Sequence, residues 1–146
     1  KIWILKNNLI LEFIESFHTS IEIVEDRFED YHSTSTPILI ADNFFNHSVI
    51  IGKPFTNWKN EDINNLKGTL YINNIIYKTG KTDMILGNPI NALKWLVKHI
   101  LSRNQIIKKK SIITLGSIIK TVWVENNYNE YKFSIDKLGS CKVKFH

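Results

Sequence analysis

The run LKGTLYINNIIYK at 66–78 alternates apolar and polar residues on either side of Asn73-Asn74. Asparagine tolerates the positive φ that both central positions of a tight hairpin loop require, so this stretch predicts two antiparallel strands. Later runs predict more strands: 111–115 (SIITL), 119–124 (IKTVWV) and 130–135 (EYKFSI). The run at 140–145 (SCKVKF) alternates lysine with apolar side chains, as an edge or half-exposed strand does. Near the start, the stretch at 20–31, SIEIVEDRFEDY, opens as a strand as well.

Two stretches carry a helical period instead. Asn88 is a natural N-cap, and Pro89 suits the first helical position, where its missing N–H costs nothing. Ile90, Leu93, Trp95, Leu96, Val97, Ile100 and Leu101 then form a broad apolar face. Asn7 or Asn8 is the expected cap of an earlier helix bearing Leu9, Ile10, Phe13, Ile14 and Phe17 on one side. A polar loop, HSTSTP, is expected at 32–37, and the apolar stretch from Pro37 to Ile51 reads as a strand edge running into a short helix. Separate runs of strands with two amphipathic helices make the class α+β.

At 146 residues, with 43% hydrophobic and 23% charged side chains, residues 1–146 suit a single globular domain. Cys141 is the one cysteine, which excludes an internal disulfide framework and a cysteine-based zinc site and fits a reducing, cytoplasmic setting. No apolar run has the length of a membrane span, and no signal peptide opens the chain. Asn46-His47-Ser48 is a glycosylation triplet only for a secreted protein. The net charge is +5, yet the lysines are spread along the chain, and Lys108, Lys109 and Lys110 sit in a polar link between helix and strand. A nucleic-acid reader gathers such charge on one face among aromatics, so neither nucleic acid nor membrane is the expected partner. The first residue is Lys1 rather than methionine, so a piece of a longer protein is expected.

Glu22 raises the question of chemistry, because it stands between Ile21 and Ile23. It either faces water on a half-wet strand or is a carboxylate held on a rigid element for a divalent metal. Gly80-Lys81-Thr82 resembles the end of a phosphate loop, but the glycine required five residues earlier is Ile75. His18, His32, His47, His99 and His146 show no metal-ligand spacing. His99 is expected on the helix surface, and Cys141 is expected to be structural.

Five blocks in order carry a family resemblance: IEIVEDRFEDY at 21–31, IADNFF at 40–45, MILGNPINALKWL at 84–96, TLGS at 114–117 and LGSCKVKF at 138–145. They resemble the C-terminal half of the 2-keto-4-pentenoate hydratase and 4-oxalocrotonate decarboxylase group, in the fumarylacetoacetate hydrolase superfamily. The resemblance implies a mixed, curved β-roll with two main outer helices, lacking here the N-terminal part of the family fold. It implies a cytoplasmic homo-oligomer acting on a small 2-oxo acid in aromatic-compound catabolism. Mg²⁺ or Mn²⁺ would chelate the acid's carboxylate and 2-oxo groups as a Lewis acid. Glu22 matches the third metal carboxylate, while Asp42, Asn43 and Ser117 match substrate-binding positions. For Asp42 and Asn43, turn and helix-cap chemistry is the competing reading.

Two departures stand out. The family's other two metal carboxylates, Glu-x-Glu, and its upstream acid and base lie before the first residue here, so no catalytic residue is assigned. Glu12 and Glu15 lie in the wrong element to replace them. After Ala41-Asp42-Asn43 the family carries small residues including a serine, and here the positions are Phe44 and Phe45, rings expected to fill part of the pocket. The expected function is therefore a hydratase adding water to a 2-hydroxy-2,4-dienoate such as 2-hydroxypenta-2,4-dienoate. The alternatives are a 4-oxalocrotonate-type decarboxylase and a non-catalytic assembly partner.

Overall fold

Two antiparallel sheets and two α-helices make up the fold in a computed structural model that describes residues 9–124 and 129–146. Strands β1 (Ser20–Val24) and β2 (Asn46–Ile51) pair with Glu22 opposite Val49. Strands β3 (Lys67–Ile72), β4 (Ile75–Lys81), β5 (Glu130–Ile135) and β6 (Gly139–Lys144) form the second sheet in the order β4-β3-β5-β6. The β3–β4 hairpin turns at Asn73 and Asn74, whose φ values of 50° and 65° are those its asparagines were expected to supply. Helix α1 (Thr36–Ala41) is short, and α2 (Pro89–Ser102) is the long one.

The start of α2 follows its local chemistry. Asn88 Oδ1 accepts the Ile90 N–H at 2.8 Å, and Pro89 occupies the first turn. Ile90 and Leu93 are buried with Ile10, and Ile14, Val97, Ile113 and Leu115 pack around them. The apolar face is narrower than its sequence suggests, because Trp95 is 61% exposed and stacks on His99 one turn later at 5.2 Å. Leu66, Ile118, Ile135 and Leu138 form the second core cluster, with Phe17, Phe55, Ile85 and Phe133 against it.

The structure corrects several expectations. The helix expected through Phe17 is a five-residue 3₁₀ turn, Leu9–Phe13, and its proposed caps Asn7 and Asn8 lie outside the described residues. Phe17 is instead paired with Phe55 as an extended bridge and lies edge-on to Trp58 at 5.2 Å. That long-range pairing ends the helix, so the fold has one long helix among the described residues rather than two. Between Pro37 and Ile51 the order is helix then strand, the reverse of the reading from sequence. Pro37 falls in the first turn of α1, where it is tolerated, and the β-branched run Val49-Ile50-Ile51 is drawn into the ladder with β1.

The runs at 111–115 and 119–124 are not strands. Only part of their apolar side chains is covered, Ile113 and Leu115 against one cluster and Ile119 against the other, while Ile112, Trp123 and Val124 are exposed. Alternation specifies which side chains are covered, but a strand also needs a neighbouring backbone, and none of the described segments provides one.

Residues 116–119 lie tight against β4. A Cβ on Gly80 would stand 2.5 Å from the carbonyl oxygen of Ile118. Gly80→Ala is therefore expected to cost about 2 kcal/mol through forced separation of the two backbones. Urea unfolding measures it, and an unchanged midpoint would mean that this segment moves off β4 freely.

Candidate functional site

β1 and its N-terminal extension, one side of α2 and the segment 106–124 enclose an open groove of about 1480 Å³. Ile21 and Ile23 are half-buried while Glu22 between them is exposed, so the alternation of the strand decides where this carboxylate points. Glu22 lines the groove, and its Oε1 accepts a hydrogen bond from Asn46 Nδ2 at 2.8 Å. Ser117 lines the same groove and donates its hydroxyl proton to the Ile119 carbonyl.

Asp42 and Asn43 are placed elsewhere, at the end of α1 and off the groove lining. Asp42 receives Arg27 in a fork, Nε to Oδ1 at 2.7 Å and Nη2 to Oδ2 at 3.0 Å. Its Oδ2 also accepts the Phe45 N–H at 2.8 Å. The Arg27 guanidinium holds the Asp42 carboxyl below the usual carboxylate range, against the smaller opposing effect of burial. Asn43, Phe44 and Phe45 follow with φ values of 63°, 50° and 65°, three successive left-handed residues held by that side-chain bond.

The expectation that Phe44 and Phe45 fill the pocket is overturned, because neither lines the groove. Phe45 meets Phe28 and Tyr31 edge-on, each at 5.7 Å, and Phe44 is 52% exposed. The aromatic side chains of Phe28 and Tyr31 take up the Phe45 ring that the family resemblance placed at the pocket.

The sequence reading missed Ser16 and His18. Phe17 and Phe55 exchange both backbone hydrogen bonds, at 3.1 and 2.8 Å, so the chain stays extended ahead of β1. His18 Nδ1 lies 2.9 Å from the carbonyl oxygen of Gly52, which only accepts, so this nitrogen carries the proton. The other ring nitrogen, Nε2, lies within hydrogen-bond distance of Ser16 Oγ, at 2.9 Å. Both side chains line the groove. The signal was the alternation Ser16, His18, Ser20, Glu22, hidden by reading 9–17 as a helix.

As a metal site the groove is partial. Glu22 is a hard-oxygen ligand suited to Mg²⁺ or Mn²⁺, but the described residues contain no group of three or more His, Cys, Asp or Glu that could hold a metal ion. Glu12, Glu15, Lys108, Lys109, Lys110 and Lys120 line the groove as well, so it is mixed in charge. Cys141 lies on β6 with its side chain buried, and that burial pushes its thiol up to about 11.

No protein-family model matches the chain. A 4-oxalocrotonate decarboxylase from a Pseudomonas species is 27% identical over 133 residues, which is 89% of this chain and 49% of that protein. Among solved structures, 4-oxalocrotonate decarboxylase from Pseudomonas putida G7 complexed with calcium and acetate matches with a TM-score of 0.74 and 23% identity, over 88% of this chain and 48% of that one. The same enzyme complexed with magnesium and adipate matches with a TM-score of 0.78 and 21% identity over the same shares. The relatives are thus of the group, within the fumarylacetoacetate hydrolase superfamily, that the five sequence blocks resemble. The chain spans about half their length and corresponds to their C-terminal portion. No helix of the described residues is long and apolar enough to cross a membrane.

The Asp42–Arg27 fork has a consequence for acid stability. A carboxyl depressed on folding contributes stability that is complete above its ordinary value of 3.8 and is lost as pH falls through the lower folded value. The urea midpoint is expected to fall with pH from about 4 downward. Asp42→Asn removes part of that slope, leaving the part due to Glu130, which Lys142 depresses in the same sense.

Proposed function

We propose that this chain carries one wall of the active site of a divalent-metal-dependent 2-oxo acid lyase, acting in aromatic-compound catabolism. Decarboxylation of a 4-oxalocrotonate-type acid is the first reading, because the relatives with matching fold bear that name. Hydration of a 2-hydroxy-2,4-dienoate is the second, since the sequence blocks fit both branches of the group. The observation that carries the proposal is Glu22, an exposed carboxylate between Ile21 and Ile23 on a strand paired with β2, among the residues that line the groove.

In this reading Glu22 supplies one carboxylate to Mg²⁺ or Mn²⁺. When bound, that ion draws charge toward the 2-oxo oxygen of a chelated acid. The chain's own residues do the positioning. Asn46 fixes one oxygen of Glu22 at 2.8 Å, leaving the other for the ion. Arg27 and Asp42 hold the turn from which Asn46 reaches, so Asp42 and Asn43 serve the substrate pocket through that turn. Ser117, another residue of the groove lining, is assigned to the substrate carboxylate. The closed curved β-roll, the remaining carboxylates and homo-oligomeric assembly belong to the same proposal, with residues 1–146 as one domain of it.

Mn²⁺ tests it without turnover. At about millimolar concentration the paramagnetic ion is expected to broaden the amide signals of Ile21, Glu22, Ile23 and Asn46 selectively, and Glu22→Gln is expected to remove the effect. Broadening that ignores Glu22, or none, would leave the scaffold without metal chemistry and favour the assembly-partner reading.

A further inference from the structure

Helix α1 lacks support within the chain. None of its six residues, TPILIA, is buried, and Ile38, Ile40 and Phe44 just beyond it are each more than half exposed. A helix this short has little stability of its own and depends on the covering of an apolar face. The segment leading into it, EDRFED at 25–30, is acidic. Arg27 engages Glu25 and Asp42, which braces the arm at 25–44. Asp26, Glu29 and Asp30 form no ion pair with a described residue.

The opposite chemistry lies on α2. Its inner face buries Ile90 and Leu93. Its outer face carries Trp95, Lys98 and Ser102 in one exposed stripe, at i, i+3 and i+7, and exposed Arg103 follows. Lys98 and Arg103 form no ion pair with a described residue either. From 84 to 124 the chain has seven lysines and arginines and no acidic residue. Neither the arm nor this stripe lines the groove, so the site described above leaves both without a use.

We propose that the arm at 25–44 docks on the outer face of α2 in a second copy of the chain, and that each copy does both, closing a two-fold dimer. The inference gives a surface to the homo-oligomeric part of the reading above and rests on that part, not on Glu22 or a metal. Charge selects the pairing. Two acidic arms repel each other, as do two basic helix faces, whereas an arm on a helix sets Asp26, Glu29 and Asp30 toward Lys98 and Arg103. Ile38, Ile40 and Phe44 are then covered against Trp95, an indole already held by its stack on His99. Two-fold symmetry makes this small contact twice, which brings it toward the roughly 1,200–2,000 Å² that a stable pair buries.

Sedimentation velocity on the 146-residue chain tests the pairing. A dimer is expected at about 20 mM salt, weakened about tenfold or more at about 500 mM. Glu29→Lys and Lys98→Glu are each expected to weaken it about tenfold, and Trp95→Ala about thirtyfold, with the circular dichroism unchanged. An equimolar mixture of the Glu29→Lys and Lys98→Glu chains is expected to recover the affinity. In that heterodimer the altered arm meets the altered helix, and the unaltered arm meets the unaltered helix. A monomer at every salt concentration would overturn the surface and the assembly together. A dimer indifferent to all three substitutions would overturn the surface and leave the assembly standing. A mixture no tighter than either altered chain alone would overturn the arm-on-helix pairing. Broadening by Mn²⁺ near Glu22 reads the metal chemistry separately in each case.

Discussion

The close approach of three backbones at Gly52 governs where the groove wall stands. A Cβ there would lie 3.0 Å from both Ser140 O and Thr19 O, so any other residue requires the neighbouring backbones to give by a few tenths of an ångström. Thr19 is fully buried at the same point, and its hydroxyl donates to Gly139 O at 3.0 Å. The two-stranded sheet is thereby fastened to the edge of the four-stranded one. The pairing of β1 with β2 sets which side of the strand Glu22 takes, and both His18 and Glu22 are among the residues that line the groove.

A second constraint acts at the other end of β1. Three successive left-handed residues after α1 are costly for side chains such as Phe44 and Phe45, of order 1 kcal/mol or more each. The Arg27–Asp42 fork and the bond from Phe45 N–H to Asp42 offset that strain. The turn they stabilise delivers Asn46 to Glu22. The acidic residue between two isoleucines is thus oriented by charges that never enter the groove themselves, which is how turn chemistry and site chemistry become the same question at Asp42.

Much of the fold was legible in local patterns. The Asn73-Asn74 hairpin, the Asn88-Pro89 helix start and the strands at 130–135 and 140–145 came from requirements that a few neighbouring residues satisfy among themselves. The failures share a cause. Residues 9–17 have a helical period, yet Phe17 is claimed by Phe55 from far along the chain, and the runs at 111–115 and 119–124 read as strands but pair with no strand among the described residues. Periodicity reports which side chains are covered, whereas backbone pairing depends on what else arrives.

The candidate site divides in the same way. Sequence by itself determined that Glu22 lies on a strand between aliphatic neighbours, and the ordered blocks pointed to the group of relatives whose fold the chain shares. Tertiary structure alone decided that Ser16 and His18 join Glu22 at one groove, that Phe45 turns to Phe28 and Tyr31, and that Asp42 is engaged by Arg27. The physical reason is range. Strand alternation acts over adjacent residues, but the partner of a side chain is set by which distant backbone or ring is brought within a few ångströms of it.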